Sequence, residues 1–248
     1  MHRCFSPTRG GMLLMAALIV ALGSSTIMSA QATIPANATV YKDIQEMSSW
    51  TTCTSSCSGG NGTAIFSMTQ KQASPALDGN STLFSYDGGP AFSHILWSKH
   101  LSSNGSAANF VLDFDYYIDR PANAQGLEFA ANQQLPGQWY KFSTQCSFAD
   151  AKWRVWDSAN QDWVATSAPC TRPPANTWQH LTLQYERANS KAVFVAITVN
   201  GHKYPINQSF KPQVHSGSTS VGVHFEMDGD KTAQPYNVWI DEMALSIW

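Results

Sequence analysis

Charge is scarce in this chain. Asp, Glu, Lys and Arg together make up 13% of its 248 residues, and the net charge is −2. No run of Lys or Arg occurs. A phosphate-tracking surface needs clustered cations, so nucleic acid is not an expected partner. A sustained 3.6-residue hydrophobic pattern is also missing beyond the N-terminal segment, which argues against a helical bundle. The motifs G-x-S-x-G and H-E-x-x-H do not occur, which removes the commonest signatures of serine hydrolases and zinc proteases. Long apolar runs are absent apart from MLLMAALIVALG, Met12 to Gly23. Twelve residues are too few to cross a hydrocarbon layer of roughly 30 Å as a helix.

That one run belongs to a recognisable segment. His2, Arg3 and Arg9 form a positive start, the apolar stretch follows, and Ala30-Gln31-Ala32 supplies a small-x-small cleavage pattern. Residues 1–32 are therefore expected to be a secretory signal peptide. Residues 33–248 are expected to be one exported domain, secreted or periplasmic and not membrane-spanning after cleavage. Removing Arg3 and Arg9 takes the net charge from −2 to −4. Of five cysteines, Cys4 leaves with the signal, and Cys53, Cys57, Cys146 and Cys170 remain. An even number in an exported chain argues for disulfides, with three connectivities open. The local pairing, Cys53–Cys57 with Cys146–Cys170, is the natural one. C-x3-C without a second close pair is poor for structural zinc.

What the chain has in quantity is short alternating segments broken by Gly, Pro, Asn and Asp. A short strand is expected around Val40–Ile44. In NFVLDFDYYI, Phe110, Leu112, Phe114, Tyr116 and Ile118 share one face, and Val111, Asp113, Asp115 and Tyr117 share the other. GLEFAAN, WQHLTLQYE, SVGVHFEMD and VWIDEMALSIW repeat the pattern, and AVFVAITVNG ends in an Asn-Gly hairpin signal. Period two with regularly spaced turns predicts an all-β, antiparallel two-sheet β-sandwich.

KWRVWDSANQDWV (152–164) holds three of the nine tryptophans. Read as strand, turn and strand, it puts Trp153 inward and sets Trp156 opposite Trp163 on the face shared with Arg154. Cys146 and Cys170 bracket this hairpin.

The order of SPALDGNSTLFSYDGG, NFVLDFDYYI, GLEFAANQ, the cysteine-bracketed WRVWD hairpin, VHFEMDGD and VWIDEMALSIW resembles the concanavalin A-like lectin/glucanase jelly roll. It resembles in particular exported bacterial members of unassigned activity. The resemblance implies two packed antiparallel sheets whose concave face holds a glycan, in lectins, binding modules, glycosidases and lyases alike, so fold alone does not choose a function.

The residues suited to holding a polysaccharide are the aromatic platforms Tyr117, Trp156, Trp163 and Trp178, with Gln145, Arg154, His180, His224 and Asp228 as polar partners. Binding without catalysis is the first expectation. The alternative is a glycoside hydrolase using Glu128 and Glu226. Against it, the glucanase signature E-x-D-x-x-E is missing, with Ala130 where the Asp would fall. A polysaccharide lyase built on Tyr140, Lys141, Gln145, Arg154 and His180 ranks lower, and a structural or adhesive envelope protein is the third class. His224, Glu226 and Asp228 lie in a row that could take a metal. Asp241, with Asp43, is the candidate pair for a structural calcium, which needs six to eight oxygens.

Overall fold

The computed structural model describes residues 33–55, 57 and 59–248. The expected signal segment, 1–32, lies outside the described residues. In chain order the strands are β1 (Thr39–Tyr41), β2 (Thr51–Cys53), β3 (Ile65–Gln72), β4 (Ser81–Gly88), β5 (His94–Ser102), β6 (Asn109–Ile118), β7 (Ala124–Leu135) and β8 (Gly137–Ser147). They continue with β9 (Lys152–Asp157), β10 (Asp162–Pro169), β11 (Trp178–Ala188), β12 (Lys191–Val199), β13 (His202–Phe210), β14 (Gln213–His215), β15 (Ser220–Gly229) and β16 (Tyr236–Ile247). Two short 3-10 turns, Ile44–Glu46 and Pro121–Asn123, interrupt them. No helix among the described residues is long and apolar enough to cross a membrane.

The strands form two antiparallel sheets. The first runs β13-β12-β11-β6-β16-β4-β3 with β1 on β16, and the second runs β10-β9-β8-β7-β15-β5-β2 with β14 on β8. Neighbours are mostly distant in sequence: β6 lies between β11 and β16, and β15 lies between β7 and β5. Such long crossings between two sheets make a jelly roll, as the alternation and the resemblance implied.

Period two produces the packing directly. The inward file Phe110, Leu112, Phe114, Tyr116 and Ile118 of β6 is buried, as are Phe129 on β7 and Phe225 on β15. Aromatic rings bridge the sheets: Phe114 to Phe129 at 4.6 Å, Phe84 to Phe225 at 5.0 Å and Phe110 to Phe142 at 5.1 Å between centroids. Offset and edge contacts of this kind add about 0.5–1.5 kcal/mol each beyond area burial. The expected Asn-Gly turn joins β12 to β13, with φ of 49° at Asn200 and 80° at Gly201, the two left-handed positions a type I′ hairpin needs.

One expected strand is shorter than the sequence suggested. The segment Val40–Ile44 is extended only as far as Tyr41, and Asp43 turns the chain with φ of 50°. The turn drives Ile44 and Gln45 into the core, where Gln45 Oε1 accepts the Met243 N–H at 3.0 Å. Burial of the Ile44 side chain, fully enclosed in the core, favours this turn over a solvated edge strand.

Both local disulfides are present, Cys53–Cys57 and Cys146–Cys170. The second joins cysteines 24 residues apart at the base of the tryptophan hairpin. Loop-closure entropy predicts that the Cys146→Ser/Cys170→Ser double variant loses about 3–4 kcal/mol of stability. The Cys53→Ser/Cys57→Ser variant, with its much shorter loop, loses about 2 kcal/mol. Urea unfolding of the two double variants checks the order, and equal losses would contradict it.

Candidate functional site

Strand register sets out the outward face of the second sheet residue by residue. Trp163 pairs with Trp156 across β10 and β9, and their rings meet at 5.2 Å and 65°. Trp153, on the other side of β9, is buried in the core as expected. One step along, Arg154 pairs with Gln145, Gln145 with Glu128, and Glu128 with Glu226. The next file carries Asp228 and its cross-strand partner His94 on β5. On the other side of the glutamates, Ala130 separates Ser143 from His224.

The acids in this row are unusual. Glu128, Glu226 and Asp228 point away from the core, yet only 9%, 4% and 1% of their surface is exposed. Gln145 Nε2 donates to Asp228 Oδ2 at 2.8 Å. His94 Nδ1 lies 3.2 Å from Glu226 Oε1 and 3.4 Å from Asp228 Oδ1. Burial pushes the Glu128 carboxyl up to about 7, with Asp228 adding to the rise and Ser143 and Lys141 opposing it. Burial, with Glu128 and Asp228 close by, raises Glu226 well above the carboxylate range, and Glu226 hydrogen-bonds to Asp228. Burial also raises Asp228, against the pull of His94, Glu226 and Gln145. Three carboxyls crowded in a poorly solvated patch cannot all ionise without help.

Around the acids stand longer side chains. The Lys141 ammonium lies 4.0 Å from the centre of the Trp139 ring, a cation–π contact, and burial lowers its affinity for a proton, with Glu128 opposing. His224 meets the edge of Trp139 at 6.5 Å, and burial followed by the Lys141 charge pulls it down to about 4, so it is neutral. Arg154 pairs with Asp150. Several buried polar atoms on this face have no hydrogen-bond partner among the described residues: Asn132 Oδ1 and Nδ2, Trp139 Nε1, Trp156 Nε1 and Asp228 Oδ1.

Of the nine residues suited to binding by sequence, Gln145, Arg154, Trp156, Trp163, His224 and Asp228 therefore share one face with Glu128 and Glu226. Tyr117, Trp178 and His180 do not join them. They lie on the outward face of the first sheet, where Trp178, Tyr117 and Trp239 form one cross-strand file, with Tyr117 5.4 Å from Trp178 and 5.5 Å from Trp239. His180 sits between Asp113 and Asp115, at 3.3 Å and 3.0 Å. The acids at 113 and 115 are thus outward, as alternation required, but on the opposite side of the molecule from Glu128 and Glu226.

The expected row of His224, Glu226 and Asp228 is also changed. His224 leans toward Trp139, and the imidazole beside the two acids is His94. Asp241 holds the chain together: its Oδ2 accepts the Leu77 N–H at 2.7 Å and its Oδ1 the Glu242 N–H at 2.9 Å. Each oxygen thus accepts one backbone N–H. Trp139, Asn132 and His94 were not among the residues singled out for binding. Their signal was the same alternation, Tyr140 and Phe142 inward against Trp139 and Lys141, and Ile95 and Trp97 inward against His94.

The chain matches no protein-family model and no curated protein. Among solved structures it is similar to "Cellulose induced protein, Cip1", at 13% identity and a TM-score of 0.49, over 83% of this chain and 96% of that one. It is similar to alginate lyase Aly36B at 12% identity and 0.49, over 68% and 81%. It is similar to a family 11 carbohydrate-binding module from Clostridium thermocellum, in complex with a β-1,3-1,4-mixed-linked tetrasaccharide, at 13% and 0.42, over 84% and 94%. These likenesses are in strand arrangement, at low identity.

His180 gives a test of the first sheet's electrostatics. Hydrogen bonds to Asp113 and then Asp115 push it up to about 10 from 6.5. A raised folded-state value means that its stabilisation is fully present below pH 6.5 and is lost as pH rises through about 10. Melting temperatures of the wild type and His180→Gln should therefore converge as pH rises from 6.5 to about 10. Parallel profiles would show that the pair contributes nothing.

Proposed function

We propose that this is an exported protein that binds a polysaccharide on the outward face of its second sheet without breaking it. The observation that carries this reading is the Trp156–Trp163 pair beside a file of hydrogen-bonding side chains, Arg154, Gln145, Glu128 and Glu226, at strand spacing. An indole offers an apolar surface to the C–H face of a sugar ring, and the neighbouring file offers donors and acceptors to its hydroxyls. The polar atoms of Asn132, Trp139 and Trp156 that lack a partner among the described residues support it too, because buried polar groups are normally satisfied by protein, water or ligand.

Glycoside hydrolysis is less well supported. Glu128 and Glu226 are direct cross-strand partners, an arrangement in which two carboxyls of a retaining pair could face one another. A working pair needs environments that drive the two proton affinities apart, one acid and one carboxylate. Here both are pushed upward, and Glu226 is hydrogen-bonded to Asp228.

Depletion of the purified protein by insoluble cellulose, xylan, β-1,3-glucan, chitin and peptidoglycan tests the reading. One of these should remove the wild type, and Trp156→Ala should weaken that retention at least tenfold, the scale of a stacking contact worth about 1.4 kcal/mol or more. Trp178→Ala, on the opposite sheet, should leave it unchanged. Retention lost equally in both variants would place binding elsewhere, and no retention on any polymer would favour a structural role. Sugar released by the wild type but not by Glu128→Gln would instead establish the hydrolase.

A further inference from the structure

We propose that His94, Glu226 and Asp228 form a binding site for one zinc ion. His94 Nδ1 is 3.2 Å from Glu226 Oε1 and 3.4 Å from Asp228 Oδ1, and all three ligand atoms lie within 4.8 Å of one another. A tetrahedral ion holding N and O ligands at about 2.0–2.1 Å keeps neighbouring ligands about 3.4 Å apart. The imidazole-to-carboxylate distances already match two edges of that tetrahedron.

This is more than a set of acids on a surface. Asp228 is 1% exposed, and its Oδ1, with His94 Nδ1 3.4 Å away, has no hydrogen-bond partner within normal geometry among the described residues. The other oxygen is held by Gln145 Nε2 at 2.8 Å, the kind of outer partner that fixes a ligating carboxylate. Space for this carboxylate comes from Gly126, the cross-strand partner of Asp228: a Cβ there would stand 3.1 Å from Asp228 Oδ2 and 2.9 Å from the Cys146 carbonyl. Glu128, the cross-strand partner of Glu226, is not one of the three clustered ligands, which leaves the fourth position of the tetrahedron to water.

The donor set selects the ion. One imidazole with two carboxylates is too few oxygens for calcium, which takes six to eight, and a nitrogen ligand disfavours magnesium. Zinc accepts nitrogen and oxygen together at low coordination number.

The proposal does not rest on glycan binding and is tested without any glycan. Tag-free protein is stripped with a chelator, dialysed against micromolar Zn²⁺, and its metal content measured, with titration calorimetry for affinity. One zinc per chain is expected in the wild type. His94→Gln and Asp228→Asn should each weaken binding more than tenfold while still unfolding cooperatively in chelator. Failure of the wild type to retain one zinc would overturn the proposal. So would equal retention by both variants, which would move the ion to surface histidines, or a preference for Ca²⁺ over Zn²⁺ in competition. If a variant loses cooperative unfolding, Gln145→Ala serves in its place, since it removes only the hydrogen bond that orients Asp228, and unchanged zinc affinity there would count against the site.

Discussion

The pairing of β7 with β15 is the contact on which the rest of the molecule depends. Phe129 opposite Phe225 on the inner side, stacked at 5.1 Å, anchors the core that joins the two sheets. One residue along the same two strands, Glu128 opposite Glu226 forms the floor of the outward face. Because strand side chains alternate strictly, a single register fixes both the apolar centre and the acidic centre. A slip of one residue would bury the glutamates in the core and expose the phenylalanines, so the core packing itself protects the geometry of the site.

That coupling explains how three carboxyls can be held at such low exposure. Buried charge is normally too costly to keep unless it is paired, neutralised or metal-bound. Here all three acids are raised in proton affinity, Glu226 hydrogen-bonds to Asp228, His94 stands beside those two, and the aromatic core below holds the strands in place. The acids are a feature built on a rigid support, which is the expected location for a binding constellation. The opposite face follows a different logic. His180 between Asp113 and Asp115 is a compact cluster whose imidazole and acids are more exposed to water than the buried acids of the second sheet.

Much of this was legible in the residue pattern. Period two in NFVLDFDYYI and SVGVHFEMD gave the inward files, the cysteine spacing gave both disulfides, and the turn in KWRVWDSANQDWV gave the Trp156–Trp163 register. What alternation cannot carry is sheet membership. It distinguishes inside from outside, but a sandwich has two outsides. Between β6 and β7 the chain crosses from one sheet to the other through the short turn Pro121–Asn123. Tyr117 and Glu128, eleven positions apart and both outward, therefore end on opposite sides of the molecule. His94 was hidden for another reason: Leu96, an apolar residue on its own outward file, blurs the alternation of HILWSKHLS. The turn at Asp43 was hidden because a left-handed aspartate leaves no trace in a hydrophobic pattern.

The nine tryptophans offer the most direct test of which face binds. Each indole N–H gives its own proton–nitrogen resonance, and adding a soluble fragment of a retained polysaccharide reports on all nine at once. Binding on the second sheet predicts shifts for Trp139, Trp156 and Trp163 and none for Trp178 and Trp239. Shifts confined to Trp178 and Trp239 would contradict it and move the site to the first sheet.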